Sequence, residues 1–182
     1  VVIQTLLIDE GDLTNVATLE RDTAWIKSWI EAASMLGAEN VRVIAGKSKP
    51  SPDSLSLAVA GLNDMVALGA KLGVKITTEN WHDLLSTPDA VHHVLDRVEG
   101  LGFMADTGNW SGPTKYQDLK SIFARANLCH AKAHFDPGLK MDANDFEQCL
   151  AAAQQAEYAG PLTLIFMDDL DEWQGLDLER RF

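Results

Sequence analysis

Short runs of β-branched and aliphatic residues alternate with segments whose apolar residues recur at helical spacing, and this alternation constrains the fold more than any other feature of the sequence. Val1–Ile8 reads as a strand. From Asp22 to Leu36, the residues Trp25, Ile26, Trp29, Ile30 and Ala33 follow helical spacing, and Gly37 supplies the residue type that most readily ends a helix. The pattern then repeats with a strand at Val41–Ile44 and a helix opened by Ser51-Pro52-Asp53 that runs to about Leu72. Further strands are expected at Val74–Thr78, Gly102–Asp106, Leu128–His134 and Leu162–Phe166. Helices lie between them: one opened by Thr87-Pro88-Asp89 to about Val98, one over Tyr116–Ala126 and one over Asp142–Ala156.

Six βα units with short connections require a parallel sheet covered by helices, because parallel strands need a crossover and crossovers are right-handed. A doubly wound sheet would carry a glycine-rich phosphate loop after its first strand, whereas Asp9-Glu10-Gly11-Asp12 puts phosphate-repelling carboxylates there. Polar residues gather at strand C-termini (Asp9-Glu10, Glu79-Asn80, Asp106, His130 to His134, Asp168-Asp169), the face on which a barrel of parallel strands builds its site. The expectation is an α/β barrel in one domain over residues 1–182. A net charge of -12 with scattered basic residues opposes nucleic acid as a partner. No run approaches the roughly 20 consecutive apolar residues of a membrane helix, so no membrane partner is expected either. Cys129 and Cys149 fit no disulfide or zinc spacing and read as buried thiols, which suits a reducing, cytoplasmic setting. Because the chain opens inside an apolar run with no methionine, the true N-terminus is expected upstream.

Three strand ends carry groups capable of chemistry. Thr77-Thr78-Glu79-Asn80-Trp81 puts a carboxylate at the end of an apolar strand, where it is either a site residue or a solvated loop residue. Asp106-Thr107-Gly108-Asn109-Trp110 repeats the arrangement, with an Asx turn as the bland alternative. In His130-Ala131-Lys132-Ala133-His134 the period of two places His130, Lys132 and His134 on one face, and such basic groups need anionic or metal company to be buried. One Glu, one Asp and one His from three strand ends suit Mn²⁺, Mg²⁺, Co²⁺ or Zn²⁺.

Several short motifs then occur in a characteristic order: Leu36-Gly37-Ala38 with Val41-Arg42-Val43, Leu72-Gly73-Val74 with Thr78-Glu79-Asn80, Ala105-Asp106-Thr107-Gly108-Asn109, His130-Ala131-Lys132, and Asp145-Phe146 with Tyr158-Ala159-Gly160-Pro161. Over nearly its whole length the chain resembles the xylose-isomerase-like sugar phosphate isomerase/epimerase family. The resemblance implies a partial (β/α)8 TIM barrel containing strands three to eight, with the first two βα units missing. It also implies a divalent cation held by Glu, Asp, His and a second Glu. Glu79, Asp106 and His130 match the first three ligands, Glu79 is the catalytic proton carrier, and Lys132 lies where a substrate-facing residue is common. His134 is an alternative ligand or a substrate contact. Ile165 stands where the second Glu belongs, so the fourth position falls to Asp168, Asp169 or water.

Arg42 either faces a substrate phosphate or carboxylate or pairs with a neighbouring acid. Trp81 and Trp110 either wall a sugar pocket or pack beneath loops. The leading expectation is a metal-dependent sugar (phosphate) isomerase or epimerase that moves a proton next to a carbonyl. The alternative is a degenerate, non-catalytic barrel that binds a small molecule, because isoleucine can neither coordinate nor accept a proton. Metal-dependent hydrolysis of damaged DNA, of the AP-endonuclease type, ranks last on charge. Six strands cannot satisfy the tilt and shear of an eight-stranded barrel, so the strands at Val1–Ile8 and Leu162–Phe166 are expected to be open edges that pair in a homo-oligomer.

Overall fold

The computed structural model describes residues 2–182, so Val1 of the expected first strand lies outside the described residues. Strands and helices alternate without exception: β1 (Thr5–Leu7), α1 (Leu19–Met35), β2 (Asn40–Arg42), α2 (Pro52–Leu72), β3 (Lys75–Glu79), α3 (Pro88–Leu95), β4 (Gly102–Asp106), α4 (Lys115–Phe123), β5 (Leu128–Lys132), α5 (Ala143–Gln155), β6 (Leu162–Ile165) and α6 (Glu172–Arg181). The class is α/β, a partial TIM barrel with six parallel strands. Two compact units divide the chain, one over Val1–Met104 and one over Ala105–Phe182, with the boundary inside β4.

In the first unit the strand order is β1-β2-β3-β4, all parallel. Arg42 is in register with Leu7 on one side and Thr77 on the other, and Glu79 with Met104. Helix α2 shows why these residues fold as they do. Ser51 caps its first turn by accepting from the Ser54 amide, the Ser54 hydroxyl answers by accepting from the Ser51 amide, and Pro52 starts it with a fixed φ. Gly73 ends it at φ 74, a left-handed conformation that costs glycine nothing. Ala58, Leu62, Met65 and Gly69 are buried at intervals of three and four, and each large member contributes roughly 1.5–3 kcal/mol on leaving water. Among the described residues α2 alone is long and apolar enough to cross a bilayer, at 21 residues and mean hydropathy 1.3. Its single buried stripe is that of a helix laid on a sheet and on α1, which it contacts.

In the second unit the order is β4-β5-β6, and β5 and β6 run in register from Cys129↔Leu162 to Lys132↔Ile165. Helix α4 packs on α5, burying Leu119, Ile122 and Phe123 on one side and Phe146, Cys149 and Ala152 on the other. A buried ion pair joins the same two helices: Lys115 Nζ donates to both Asp145 oxygens at 2.7 and 2.8 Å, and the Tyr116 hydroxyl donates to Asp145 at 2.9 Å. Burial first, and the Asp145 carboxylate second, push Tyr116 up to about 12. Both cysteines are free thiols and buried.

Strand β1 covers only Thr5–Leu7 of the expected Val1–Ile8, and β2 covers Asn40–Arg42 in place of Val41–Ile44. Two further features differ from the sequence expectations. Strand β5 ends at Lys132, because the next amides leave the ladder: Ala133 donates to Glu179 Oε1 at 3.0 Å and Phe135 to Asp168 Oδ2 at 3.3 Å. Helix α6 has no counterpart among the expected elements; Asp171 caps it by accepting from the Gln174 amide at 2.9 Å.

Candidate functional site

In the first unit, β3 delivers Glu79 at its C-terminal end, 5% exposed. Arg42 at the end of β2 is 3% exposed and answers it, with Nε 3.1 Å from Glu79 Oε2 in an ion pair whose N–H does not aim at the oxygen. The same guanidinium donates to the Ile8 carbonyl at 3.1 Å and to the Asp9 carboxylate, and its carbon lies 4.9 Å from the Trp81 ring centroid. Arg42 is thus a buried cation held by two acids, a carbonyl and an indole, which is the paired-arginine alternative of the sequence reading. Trp81 is half-buried and stacks on His82 at 4.3 Å. His82 sits at φ 56, uncommon for a residue with a Cβ, and burial together with nearby Lys47 and Arg42 holds its imidazole below the usual histidine range. Nothing in the sequence pattern signalled that stacked pair.

In the second unit, Asp106 ends β4 and His130 lies within β5; they are 3% and 5% exposed. Asp106 Oδ1 accepts from the Gly108 amide at 2.7 Å and the Asn109 amide at 2.9 Å, so the Asx turn is present and binds one oxygen of the carboxylate. Asp106 Oδ2 lies 3.8 Å from His130 Nδ1. That spacing exceeds a hydrogen bond. It is slightly wider than the roughly 3.3–3.6 Å between two donors that each lie about 2.0–2.2 Å from a tetrahedral ion, so a shift of a few tenths of an ångström would bring both onto one ion. A buried carboxylate oxygen and an imidazole nitrogen so placed fit a divalent cation.

Lys132, one pleat on, is partly exposed; its aliphatic stem fills the space beside Gly108, where an added Cβ would come within 2.6 Å of Lys132 Cδ. Its Nζ lies 3.6 Å from Met167 Sδ. Ile165 is in register with Lys132 and so shares its face of the sheet. Asp168 turns instead to the Phe135 amide, while Asp169 is exposed. His134 is exposed beyond the end of β5, and Trp110 is buried.

The xylose isomerase-like TIM barrel family model matches residues 2–177. A search of the curated proteins found no match. Among solved structures, the chain is similar to a xylose isomerase-like TIM barrel protein from Mycobacterium smegmatis in complex with magnesium, at 17% identity and TM-score 0.75, over 100% of this chain and 71% of that one. It is similar to a xylose isomerase domain protein from Planctomyces limnophilus at 18% identity and TM-score 0.76, over 98% and 74% of the two chains. It also resembles a D-allulose 3-epimerase from Methylomonas sp. in complex with D-allulose, at 19% identity and TM-score 0.67, over 88% and 62%. At these identities the structures attest the fold, and the family follows from the model that spans the chain: this protein belongs to the xylose isomerase-like TIM barrel family.

Proposed function

We propose that this chain acts as a metal-dependent isomerase or epimerase on a small ketose or related sugar, free or phosphorylated, with Glu79, Asp106 and His130 as its metal ligands. The Asp106 Oδ2–His130 Nδ1 pair, buried and 3.8 Å apart, carries the reading. Glu79 joins the proposed set because the family resemblance matches it to a ligand and it lies buried at the C-terminal end of β3. A bound Mn²⁺, Mg²⁺, Co²⁺ or Zn²⁺ would polarise a sugar carbonyl and its neighbouring hydroxyl. The remaining work falls to side chains. Glu79 takes the proton next to the carbonyl, Arg42 fixes the Glu79 carboxylate by their ion pair, and Lys132 meets a substrate hydroxyl or phosphate. Trp81 and Trp110 border the sugar, and homo-oligomers form through the outer strands β1 and β6.

Incubation with candidate ketoses in D₂O and Mn²⁺ tests this reading: deuterium should enter next to the carbonyl, and Glu79→Gln should abolish the exchange. Exchange that persists in Glu79→Gln removes Glu79 from the proton transfer. Ile165 supports a second reading, a barrel that binds a sugar without turnover, because an apolar side chain occupies the face beside Lys132 where the family resemblance calls for a second Glu. Metal and sugar binding with no exchange for any ketose would select it.

A further inference from the structure

Thr107, fully buried between the Asp106 carboxylate and the Gly108 turn, stands at a junction that the reading above does not use. Its amide donates to the His130 carbonyl at 3.1 Å, which continues the ladder from β4 to β5. The next rung is not backbone. The Lys132 amide donates to Thr107 Oγ1 at 2.8 Å, and that hydroxyl donates onward to the Lys132 carbonyl at 3.0 Å, with the His130 carbonyl a longer alternative at 3.4 Å. Cys149 Sγ approaches the Thr107 carbonyl at 3.7 Å from α5. One hydroxyl therefore closes both polar groups of Lys132 and fixes how far the residue after Asp106 slides along β5.

We infer that Thr107 is the positioning residue of the proposed metal site: its hydroxyl sets the register that holds Asp106 Oδ2 opposite His130 Nδ1 and aims Lys132 across Gly108. This rests on the metal-site reading given above. Three observations make the control specific. Asp106 cannot compensate by rotating, because Oδ1 is tied to two amides. His130 and Lys132 are the two residues of β5 that Thr107 touches, and both point to the site face. The hydroxyl is buried and saturated as both donor and acceptor, so a same-sized apolar side chain would leave the Lys132 amide and carbonyl without partners and let the strand end shift.

The test is Co²⁺ binding to the full chain, followed by calorimetry and by the visible spectrum of the bound ion, in Thr107→Val (same shape, no hydroxyl) and Thr107→Ser (hydroxyl kept). Residues that orient ligands typically change metal affinity by about 10–100-fold when removed, so Val should weaken binding by that factor and alter the spectrum, whereas Ser should stay within about threefold of the unsubstituted chain. Unsubstituted and Val chains with the same affinity and spectrum overturn the inference. Equal losses in Ser and Val also overturn it, since they would assign the effect to packing of the methyl group. If Val does not fold, Ser decides: unchanged binding supports the role of the hydroxyl, and a tenfold loss overturns it. If the unsubstituted chain takes up no Co²⁺, the metal-site reading itself fails. The positioning role is then judged by the His130 imidazole ¹⁵N resonances, which must move in Val and not in Ser; resonances unmoved in Val overturn it.

Discussion

Glu179 on α6 is 3% exposed, and only one of its oxygens is hydrogen-bonded: Oε1 accepts from the Ala133 amide, while Oε2 is buried without a hydrogen-bond partner among the described residues. Burial pushes its carboxyl up to about 7 from the ordinary 4.5; the Ala133 amide opposes that rise and the Asp168 carboxylate adds to it. Because the folded state binds the proton more tightly than the unfolded chain, the stabilisation is fully present below pH 4.5 and is lost as pH rises through about 7. At 1.36 kcal/mol per pH unit, the gap between 4.5 and about 7 corresponds to about 3 kcal/mol. This is an upper bound, since the last turn of the helix can open to admit water. Glu179→Gln mimics the protonated acid and removes the titration. The variant should melt with the unsubstituted chain near pH 4.5 and above it at pH 8.5, by up to roughly 10 °C for a chain of this size. A melting difference that is the same at both pH values would refute the reasoning, whatever its sign.

Arg42→Met should destabilise the fold by roughly 3–5 kcal/mol in denaturant unfolding, because it breaks a buried ion pair by removing the guanidinium that faces Glu79; Arg42→Met combined with Glu79→Leu should recover much of that loss. Burial foremost, opposed by Lys115 and reinforced by Asp145, pushes the Cys149 thiol up to about 11. An alkylating reagent should therefore label it at pH 8 only on a timescale set by unfolding, as read by mass spectrometry. Light scattering coupled to size exclusion should show a homo-oligomer, and a monodisperse monomer would count against pairing through β1 and β6.

The elements whose signal is local were legible in the sequence. Strand β4 occupies the expected residues Gly102–Asp106, and α2 runs from Pro52 to Leu72 as its cap and glycine stop require. Glu79, Asp106 and His130 stood out in the sequence because they are polar residues at strand ends against an apolar background, and the structure buries all three. What escaped the sequence depends on partners far along the chain. Nothing near Arg42 says that Ile8, Asp9 and Glu79 will hold it, and the sequence left its two roles equally open. Helix α6 was missed because Glu172–Arg181 lacks an apolar stripe: Gly175 and Glu179 are its buried positions, and neither is a residue that periodicity counts. The early end of β5 was hidden for the same reason, since the carboxylates that capture Ala133 and Phe135 come from 46 and 33 residues downstream.

That long-range capture also bears on the order in which the chain can become native. While the polypeptide is emerging from the ribosome, β5 is complete long before Asp168 and Glu179 exist, so the amides of Ala133 and Phe135 stay open to any passing strand. A chain cut before α6 would lose ten helical residues and also the tether on the segment just beyond His130 and Lys132. The last helix is therefore a late quality check on the strand that carries the imidazole, and premature termination there should yield a sticky, aggregating product in place of a merely shortened barrel.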